Sequence, residues 1–362
     1  MHGPGRHGDF EKGAAAGFQH PRDPPDLHEG RQGPNPRPGA LRLPAGAAPA
    51  EGRAGIRRSA RRARKTHHRS RRRGHPAMKT QALGAAPVTP AADAQAVVKS
   101  SKSNFVLSFL ALPPEQREGI SHFYALSRVV DDAVDEHGSE EAERLLNFWR
   151  EEIAACYSGT PTHPVTRAMQ GTVRRFEIPQ RYLELLVEGC EMDLRKQRYE
   201  NFQELYEYCY RVAGVIGLVC MKIFGLGGKE AEESAVDLGL ALQLTNILRD
   251  IKVDAGLGRV YIPQEEIRRF GLQEQDLLAG KMQPKLLPLL QFQAERAQGY
   301  FDRAFAAMKQ FPHKPLIAAW IMGKTYRQIL KKIRAKGFDV FTRPIKLSKW
   351  QKSWIALRER FF

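Results

Sequence analysis

Residues 243–254 read QLTNILRDIKVD and place oxygen-bearing side chains at helical spacing within an apolar stretch. Asn246, Asp250 and Asp254 lie four positions apart, and Gln243 precedes the first of them by three. Residues at these separations lie on one face of an α-helix, about one turn apart. Leucine and isoleucine fill half of the other positions. The pattern therefore predicts a helix that is buried except for one polar stripe, which faces a cavity or a partner.

Residues 123–136, FYALSRVVDDAVDE, repeat this arrangement earlier in the chain. Tyr124, Arg128, Asp131 and Asp135 follow one another at spacings of four, three and four, so they share one helix face. Carboxylates four positions apart repel each other by about 0.2–0.5 kcal/mol per pair, and a buried carboxylate needs a metal, a basic partner or a proton. Ligands that offer only oxygen favour a hard cation such as Mg²⁺, shared with substrate phosphates.

Each acidic cluster also has a simpler explanation. A solvated acidic face, or structural ion pairs with Arg128 and Arg249, would account for either cluster taken alone. Two clusters that are each embedded in an apolar helix favour a cation site instead. We therefore predict that the two stripes face each other and hold divalent ions between them.

The rest of the chain is helical in pattern from about Ser101 onward. Apolar residues recur at three and four positions, and no βαβ unit or series of hairpins is recognisable. The sequence predicts an all-α fold with one helical domain over residues 98–362. Helices are predicted over 114–136, 139–157, 164–176, 179–194, 202–226, 230–254, 263–270, 274–279, 285–311 and 314–336.

The N-terminal segment 1–77 differs in composition from the rest. It holds 17 Lys and Arg against 6 Asp and Glu, a net charge of +11, and is rich in Pro and Gly. Such a segment buries too little apolar surface to fold, so we predict disorder over residues 1–97. This segment has three interpretations: a nucleic-acid-binding arm, a targeting peptide, or an upstream extension from a misassigned start codon. We favour the extension, with Met78 as the first residue, and expect no specific nucleic-acid partner.

The four cysteines have no metal-ligand spacing and fall in helix-like or apolar stretches, which favours buried reduced thiols. The chain shows no apolar core of a secretory signal and no apolar run of the roughly 20 residues that span a membrane. We predict a cytoplasmic protein.

The loop after the second stripe offers groups that suit a phosphate. Arg259 and Tyr261 follow Gly256 and Gly258 shortly beyond the carboxylates, and arginine can bind phosphate oxygens in a bidentate way. A surface-loop arginine is the alternative. Ser103 precedes an apolar helix and offers a hydroxyl donor, for which helix capping is the competing explanation.

Small residues occupy positions 213, 214 and 217 within the predicted helix 202–226. Glycine costs a helix interior about 1 kcal/mol relative to alanine, so these positions need a reason. Close contact with another helix and room for a ligand are both compatible with the pattern.

These stretches together resemble the squalene/phytoene synthase family. The resemblance rests on the paired Asp-rich helices, on the stretch 208–217, and above all on the long motif 243–250 followed by 258–263, GRVYIP. It covers about residues 98–355. The closing stretch 337–348 is most similar to the bacterial presqualene diphosphate synthases of hopanoid biosynthesis.

The resemblance implies an isoprenoid-synthase-type helical bundle around a central cavity, in which two prenyl diphosphates are joined head to head. It implies a Mg²⁺ cluster held by Asp131, Asp135, Asn246, Asp250 and Asp254. The residues implied to bind the substrate diphosphates are Ser103, Tyr124, Arg128, Arg249, Arg259, Tyr261 and Arg343. Those implied to act in catalysis are Tyr208, Gln243, Asp131 and Asp250. Asn104 stands where the family often has a serine, so its role stays open.

The implied reaction condenses two farnesyl diphosphates to presqualene diphosphate, with release of pyrophosphate. NADPH is implied only if the reaction continues to squalene. Within the family, the alternatives are a phytoene synthase that acts on geranylgeranyl diphosphate and a squalene or dehydrosqualene synthase. Outside the family, the alternative is a basic helical protein that binds membrane or nucleic acid without catalysis. The oligomeric state stays open.

The C-terminal segment 324–360 is strongly basic, with 12 Lys and Arg against Asp339 and Glu359. Trp350 and Trp354 lie within it. Basic residues interleaved with tryptophan suit the surface of an anionic membrane, so we predict peripheral contact with the inner membrane face. A solvated basic tail is the alternative.

Overall fold

The computed structural model describes residues 108–109 and 111–361. The predictions for segment 1–97, for Met78 as the first residue, and for Ser103 and Asn104 lie outside these residues. Within the described part the chain is helical and forms no β-strand, which confirms the all-α prediction. An isolated parallel bridge joins Arg198 to Val260. Among the described helices, none has the length and apolar character needed to cross a membrane.

Twelve α-helices follow one another in the described part of the chain. The first six are α1 (Pro114–Asp135), α2 (Ser139–Ser158), α3 (Pro164–Arg175), α4 (Gln180–Arg195), α5 (Phe202–Cys209) and α6 (Val215–Phe224). The last six are α7 (Lys229–Gly256), α8 (Gln264–Arg269), α9 (Glu274–Leu278), α10 (Leu287–Met308), α11 (Ile317–Ala335) and α12 (Lys349–Phe361). A π-helical turn, Tyr210–Gly214, joins α5 to α6, and a 3₁₀ turn, Pro284–Leu286, precedes α10.

Local sequence accounts for most of these boundaries. α1 and α3 carry Pro114 and Pro164 in their first turns, where the missing N–H of proline has no intrahelical partner to lose. α2 and α6 end at Gly159 and Gly225, which have φ of 111° and 73° and so use the left-handed conformation that glycine adopts readily. The predicted helices agree with the observed ones to within a few residues, with one exception.

The exception is the predicted continuous helix 202–226, which the π-helical turn divides. The backbones of this region and α7 touch: a Cβ on Gly217 would lie 2.5 Å from the carbonyl oxygen of Ala235, and one on Gly239 would lie 2.5 Å from that of Ala213. Periodicity does not reveal a single turn with wider hydrogen-bond spacing, and such turns are often found at functional sites. The small residues predicted here therefore serve close helix contact.

The helices form two groups that meet at α6. α1 packs against α2, α3 and α4, while α7 packs against α10, α11 and the π-helical turn. α6 contacts α1, α4 and α7. These four helices therefore surround one space, and α12, which periodicity did not predict, packs on the outside against α11.

A buried carboxylate fixes the connection between α2 and α3. Glu152 of α2 accepts hydrogen bonds from the backbone N–H of Thr162 at 3.1 Å and of His163 at 2.9 Å. The hydroxyl groups of Thr162 and Thr166 also donate to it. Burial raises the pKa of Glu152, but these hydrogen bonds outweigh burial and lower the pKa to about 2. The ionised form therefore stabilises the fold.

These hydrogen bonds to Glu152 predict that the free energy of unfolding depends on pH. Because the pKa of Glu152 is lower in the folded protein than in the unfolded chain, its contribution is complete above about pH 4.5 and is lost as the pH falls toward 2. We expect Glu152→Gln to lower the free energy of unfolding by about 3 kcal/mol at pH 7, with a smaller difference from the parent at pH 3.5. Urea unfolding at both pH values measures this, and a difference that stays constant between them would contradict it.

Candidate active site

A cavity of about 350 Å³ lies among helices α1, α4, α6, α7 and α11. Most of its lining is apolar. The polar side chains in the lining include Tyr124, Arg128, Asp131, Asp193, Tyr208, Gln243 and Asn246. Ala213 and Gly217 also line it, so the small residues leave room for a ligand as well as permitting helix contact.

The cavity has a polar end and an apolar end. Along α1 the lining runs from Asp131 back to Ile120, and along α7 from Asn246 back to Ala235. In each helix the lining spans twelve residues, or eleven rises of about 1.5 Å, which is about 16 Å of helix. α6 runs in the opposite sense, so Phe224 at its C-terminus closes the apolar end. The result is a deep apolar chamber with a charged mouth.

Negative charge gathers at the mouth because three helices end there. Asp131 and Asp135 occupy the last turns of α1, Asp193 lies near the end of α4, and Asp254 lies near the end of α7. The C-terminus of a helix carries the negative end of its dipole, which adds to the charge of these carboxylates. The mouth therefore favours a cation.

Burial, together with the neighbouring carboxylates, raises the pKa values of two of these carboxyl groups. Burial, followed by the neighbouring Asp135, raises the pKa of Asp131 to about 6, although half of its side chain is exposed. Burial and Asp250 raise the pKa of Asp254 to about 7. A divalent cation would remove the repulsion and return both groups to the ionised form.

Asn246 provides an independent indication that a ligand belongs here. Its side-chain oxygen Oδ1 is buried without a hydrogen-bond partner in the described part of the chain, while its Nδ2 donates to Gln243 at 3.3 Å. An unpaired buried oxygen is costly, and a cation or a bound donor would satisfy it. These oxygen donors fit Mg²⁺. Among residues 111–361, however, no three His, Cys, Asp or Glu side chains are gathered closely enough to hold an ion alone.

Arg259 links the two acidic helices. Its guanidinium lies 3.8 Å from Asp135 of α1, and its backbone N–H donates to the carbonyl of Asp254 in α7 at 2.8 Å. Gly258, with φ of 75°, makes the turn that brings Arg259 back toward α1. The structure thus places the loop arginine next to residues of both acidic stripes.

Asp193 of α4 joins two tyrosines at the cavity. The hydroxyl of Tyr208 donates to one carboxylate oxygen at 3.0 Å and that of Tyr261 to the other at 2.8 Å. The two rings stack with centroids 5.2 Å apart. Burial, followed by Asp193, raises the pKa of Tyr208 well above its ordinary value, so this phenol stays protonated.

The matching family model is that of the squalene/phytoene synthases, and it covers residues 98–351. The chain belongs to the squalene/phytoene synthase family. Its members are prenyltransferases, so the prediction of an enzyme is confirmed and the alternative of a non-catalytic binding protein is set aside.

Known family members resemble this prenyltransferase over most of its helical part. The 15-cis-phytoene synthase of Synechococcus elongatus is 34% identical over 263 residues, covering 68% of this chain and 85% of the relative. The chloroplastic phytoene synthase of Narcissus pseudonarcissus is 35% identical, and the match spans 68% of this chain but 60% of that longer protein. The crystal structure of squalene synthase HpnC from Alicyclobacillus acidocaldarius has a TM-score of 0.66 at 27% identity, covering 69% of this chain and 94% of that chain.

The structure divides the predicted site residues of this family member into three groups. Those that line the cavity are Tyr124, Arg128, Asp131, Tyr208, Gln243 and Asn246. Those that lie beyond it, at the ends of α1 and α7 and in the loop after α7, are Asp135, Arg249, Asp250, Asp254, Arg259 and Tyr261. Arg343 is exposed and does not line the cavity. Its segment is held beside α7 because Lys252 donates to the carbonyl of Phe341 at 2.6 Å.

Asp193 is the site residue that sequence reasoning missed. A single aspartate gives no repeating pattern, and the neighbouring Glu191 and Arg195 make it resemble one charge among several on a surface. The available signal was its position seven residues after Leu186 and three after Cys190, both apolar cavity residues. That spacing places Asp193 on the inner face of α4.

Proposed function

We propose that the protein condenses two farnesyl diphosphates head to head into presqualene diphosphate, with Mg²⁺ as cofactor. The observation that carries this proposal is the deep apolar chamber whose mouth alone bears carboxylates, arginines and an unpaired buried amide oxygen. A prenyl diphosphate has the matching shape, with an apolar chain and a charged head. The farnesyl length is favoured because bulky side chains, Met221 and Phe224 of α6 and Ile120 of α1, close the far end.

A phytoene synthase that acts on geranylgeranyl diphosphate is the second candidate. It is supported by the names of the relatives, which include phytoene synthases at 34% and 35% identity. Geranylgeranyl diphosphate is one isoprene unit longer, so the two candidates differ at the apolar end of the cavity and not at its mouth.

The residues at the mouth would bind and polarise the diphosphates. Asp131, Asp135, Asn246, Asp250 and Asp254 would hold Mg²⁺. When bound, the metal supplies positive charge that stabilises the departing pyrophosphate. Arg128 and Arg259 would add charge-assisted hydrogen bonds to phosphate oxygens.

The apolar wall and the tyrosines would control the steps after loss of pyrophosphate. The carbon–oxygen bond breaks, and the allylic cation that remains has to be kept from water, which Val212, Ile216 and Leu242 exclude from the chamber. The double bond of the second substrate then forms the new carbon–carbon bond, and loss of one proton closes the cyclopropane ring. The Tyr208 hydroxyl already donates to Asp193 and stays protonated, so we assign the proton to the released pyrophosphate.

This assignment predicts a modest effect for Tyr208→Phe. We expect kcat to fall about tenfold, the loss of one charge-assisted hydrogen bond, with an unchanged pH profile. A general base would instead contribute roughly 10²–10⁴-fold and would shift the profile. Tyr199→Phe is the matched control, because the Tyr199 ring stacks on the same Tyr261 while its buried hydroxyl has no hydrogen-bond partner within the described residues.

Product analysis tests the proposed function directly. The protein is incubated with Mg²⁺ and either farnesyl or geranylgeranyl diphosphate, with and without NADPH. We expect presqualene diphosphate from farnesyl diphosphate in both conditions. Phytoene from geranylgeranyl diphosphate would establish the second candidate, and squalene or dehydrosqualene would extend the reaction beyond the cyclopropane.

A further inference from the structure

Helix α12 (Lys349–Phe361) presents opposite faces to the protein and to solvent. Ile355 and Ala356 precede Glu359 by four and three positions, and all three face the body of the protein. Both carboxylate oxygens of Glu359 accept from Lys324 of α11 at 2.6 Å, and the Glu359 side chain is only 4% exposed. The helix is therefore anchored, and the orientation of its outer face is fixed.

The outer face of α12 is apolar. Trp350, Trp354 and Leu357 lie four and three positions apart, opposite the anchored face, and are 87%, 65% and 50% exposed. The two tryptophans are the most exposed large hydrophobic residues in the described part of the chain. Tryptophan can bury about 150–250 Å² of surface, so leaving two of them in water on one stripe indicates that something covers them.

Positive charge surrounds this stripe. Lys349, Arg358 and Arg360 are exposed on its two sides. A groove of about 430 Å³ between α11 and α12 adds Lys324, Arg327 and Lys331 to the same region. The acidic residue of α12, Glu359, points inward and is neutralised by Lys324. We call Trp350, Trp354, Leu357 and the basic residues Lys349, Arg358 and Arg360 the α12 surface.

We propose that the α12 surface binds the surface of an anionic lipid bilayer. Tryptophan and leucine would enter the boundary between headgroups and acyl chains, while the flanking lysine and arginines contact anionic headgroups. The helix has 13 residues, fewer than the roughly 20 needed to span a bilayer, so it would lie along the membrane plane. Two copies of this basic face would repel each other, which argues against self-association as the occupant.

The position of α11 connects this surface to the cavity. Ala318, Ala319, Met322 and Tyr326 on one side of α11 line the cavity, and Lys324, Arg327 and Lys331 on the other side face α12. Docking through α12 would place this cavity wall one helix away from lipid, into which a prenyl substrate or product partitions. Membrane binding through the α12 surface is expected whichever prenyl diphosphate the enzyme uses.

Vesicle binding by the full chain tests the proposal. Vesicles of phosphatidylcholine alone are compared with vesicles that also contain phosphatidylglycerol, by co-sedimentation at low and high salt. We expect binding to the anionic vesicles only, weakened by salt, and a loss of at least tenfold in the partition coefficient for Trp350→Ser/Trp354→Ser. Arg358→Glu should weaken binding by roughly fivefold or more, since each basic residue near the surface contributes about this factor. Phe148→Ala and Lys309→Glu, on other surfaces, are the matched controls.

Tryptophan fluorescence assigns the contact to α12. Trp149 and Trp320 are buried, so a shift of the emission to shorter wavelength on adding anionic vesicles reports on Trp350 and Trp354. Equal binding by the double variant and the parent would overturn the proposal, because the basic segment 1–77 or another surface would then carry the binding. Absence of binding to anionic vesicles, or concentration-dependent dimerisation that the double variant abolishes, would overturn it as well. Turnover of farnesyl diphosphate without vesicles should stay unchanged in the double variant.

Discussion

Asp131→Asn is expected to lower the rate of pyrophosphate release by roughly 10²–10³-fold, the size of effect seen when one preorganised electrostatic group is removed. The Asp131→Asn variant should be at least as stable to unfolding as the parent protein. The folded protein raises the pKa of Asp131 from 3.8 to about 6, so ionisation of this carboxyl group lowers stability progressively from about pH 4 and fully above about pH 6. A neutral amide removes this repulsion and removes a predicted Mg²⁺ ligand in the same step.

Two measurements separate this effect from simple damage. Mg²⁺ with inorganic pyrophosphate should raise the thermal unfolding midpoint of the parent and should do so much less for Asp131→Asn, because only the native site binds them. Asp302→Asn is the matched control, because Asp302 of α10 is exposed and does not line the cavity. It pairs with Arg327, which lies on the side of α11 away from the cavity. Normal turnover in Asp131→Asn, or an unchanged response to Mg²⁺ with pyrophosphate, would refute the metal assignment.

Glu266→Ala is expected to lower the free energy of unfolding by about 3–5 kcal/mol, the range for breaking a buried ion pair. Glu266 of α8 and Arg296 of α10 are almost fully buried, with side chains 5% and 4% exposed. Arg296 donates to both carboxylate oxygens of Glu266, and Gln293 donates to one of them at 2.6 Å. The guanidinium also lies 3.8 Å from the centroid of Phe202. Without Glu266, a buried positive charge loses its partner.

Urea unfolding at pH 7 measures this loss. The exposed pair Arg268–Glu200 offers a matched control, and Arg268→Ala should cost less than about 1 kcal/mol. The double variant Glu266→Leu/Arg296→Met should recover most of the loss, because apolar residues of similar size often replace a buried ion pair without penalty. Equal costs for Glu266→Ala and Arg268→Ala would show that the buried pair contributes no more than a surface one.

Helix positions and the two polar stripes could be predicted because they depend on residues close together in the chain. The helix that carries Asn246, Asp250 and Asp254 was predicted over 230–254 and extends from Lys229 to Gly256. The division of 202–226 could not be predicted in this way. It reflects the backbone contact between Ala213 and Gly239, which are far apart in the sequence and meet only when α7 packs against the π-helical turn.

The α12 surface shows a limit of inference from periodicity alone. Trp350, Trp354 and Leu357 share one helix face, and such a stripe normally indicates the buried side. The tertiary structure turns the opposite face inward, because Glu359 reaches Lys324 of α11. Which face of a helix is buried depends on the elements that pack against it. The spacing of residues within α12 therefore does not specify its buried face.

Local spacing thus specified the helical fold, the acidic stripes and the resemblance that led to the squalene/phytoene synthase family, because stacking on one helix face results from a rise of about 1.5 Å and 3.6 residues per turn. Packing between distant segments specified the rest. It brought Asp193 between Tyr208 and Tyr261, set Arg259 beside Asp135, and placed Phe224 at the far end of the cavity. These contacts join helices from different parts of the chain, and their geometry depends on how whole helix surfaces fit together.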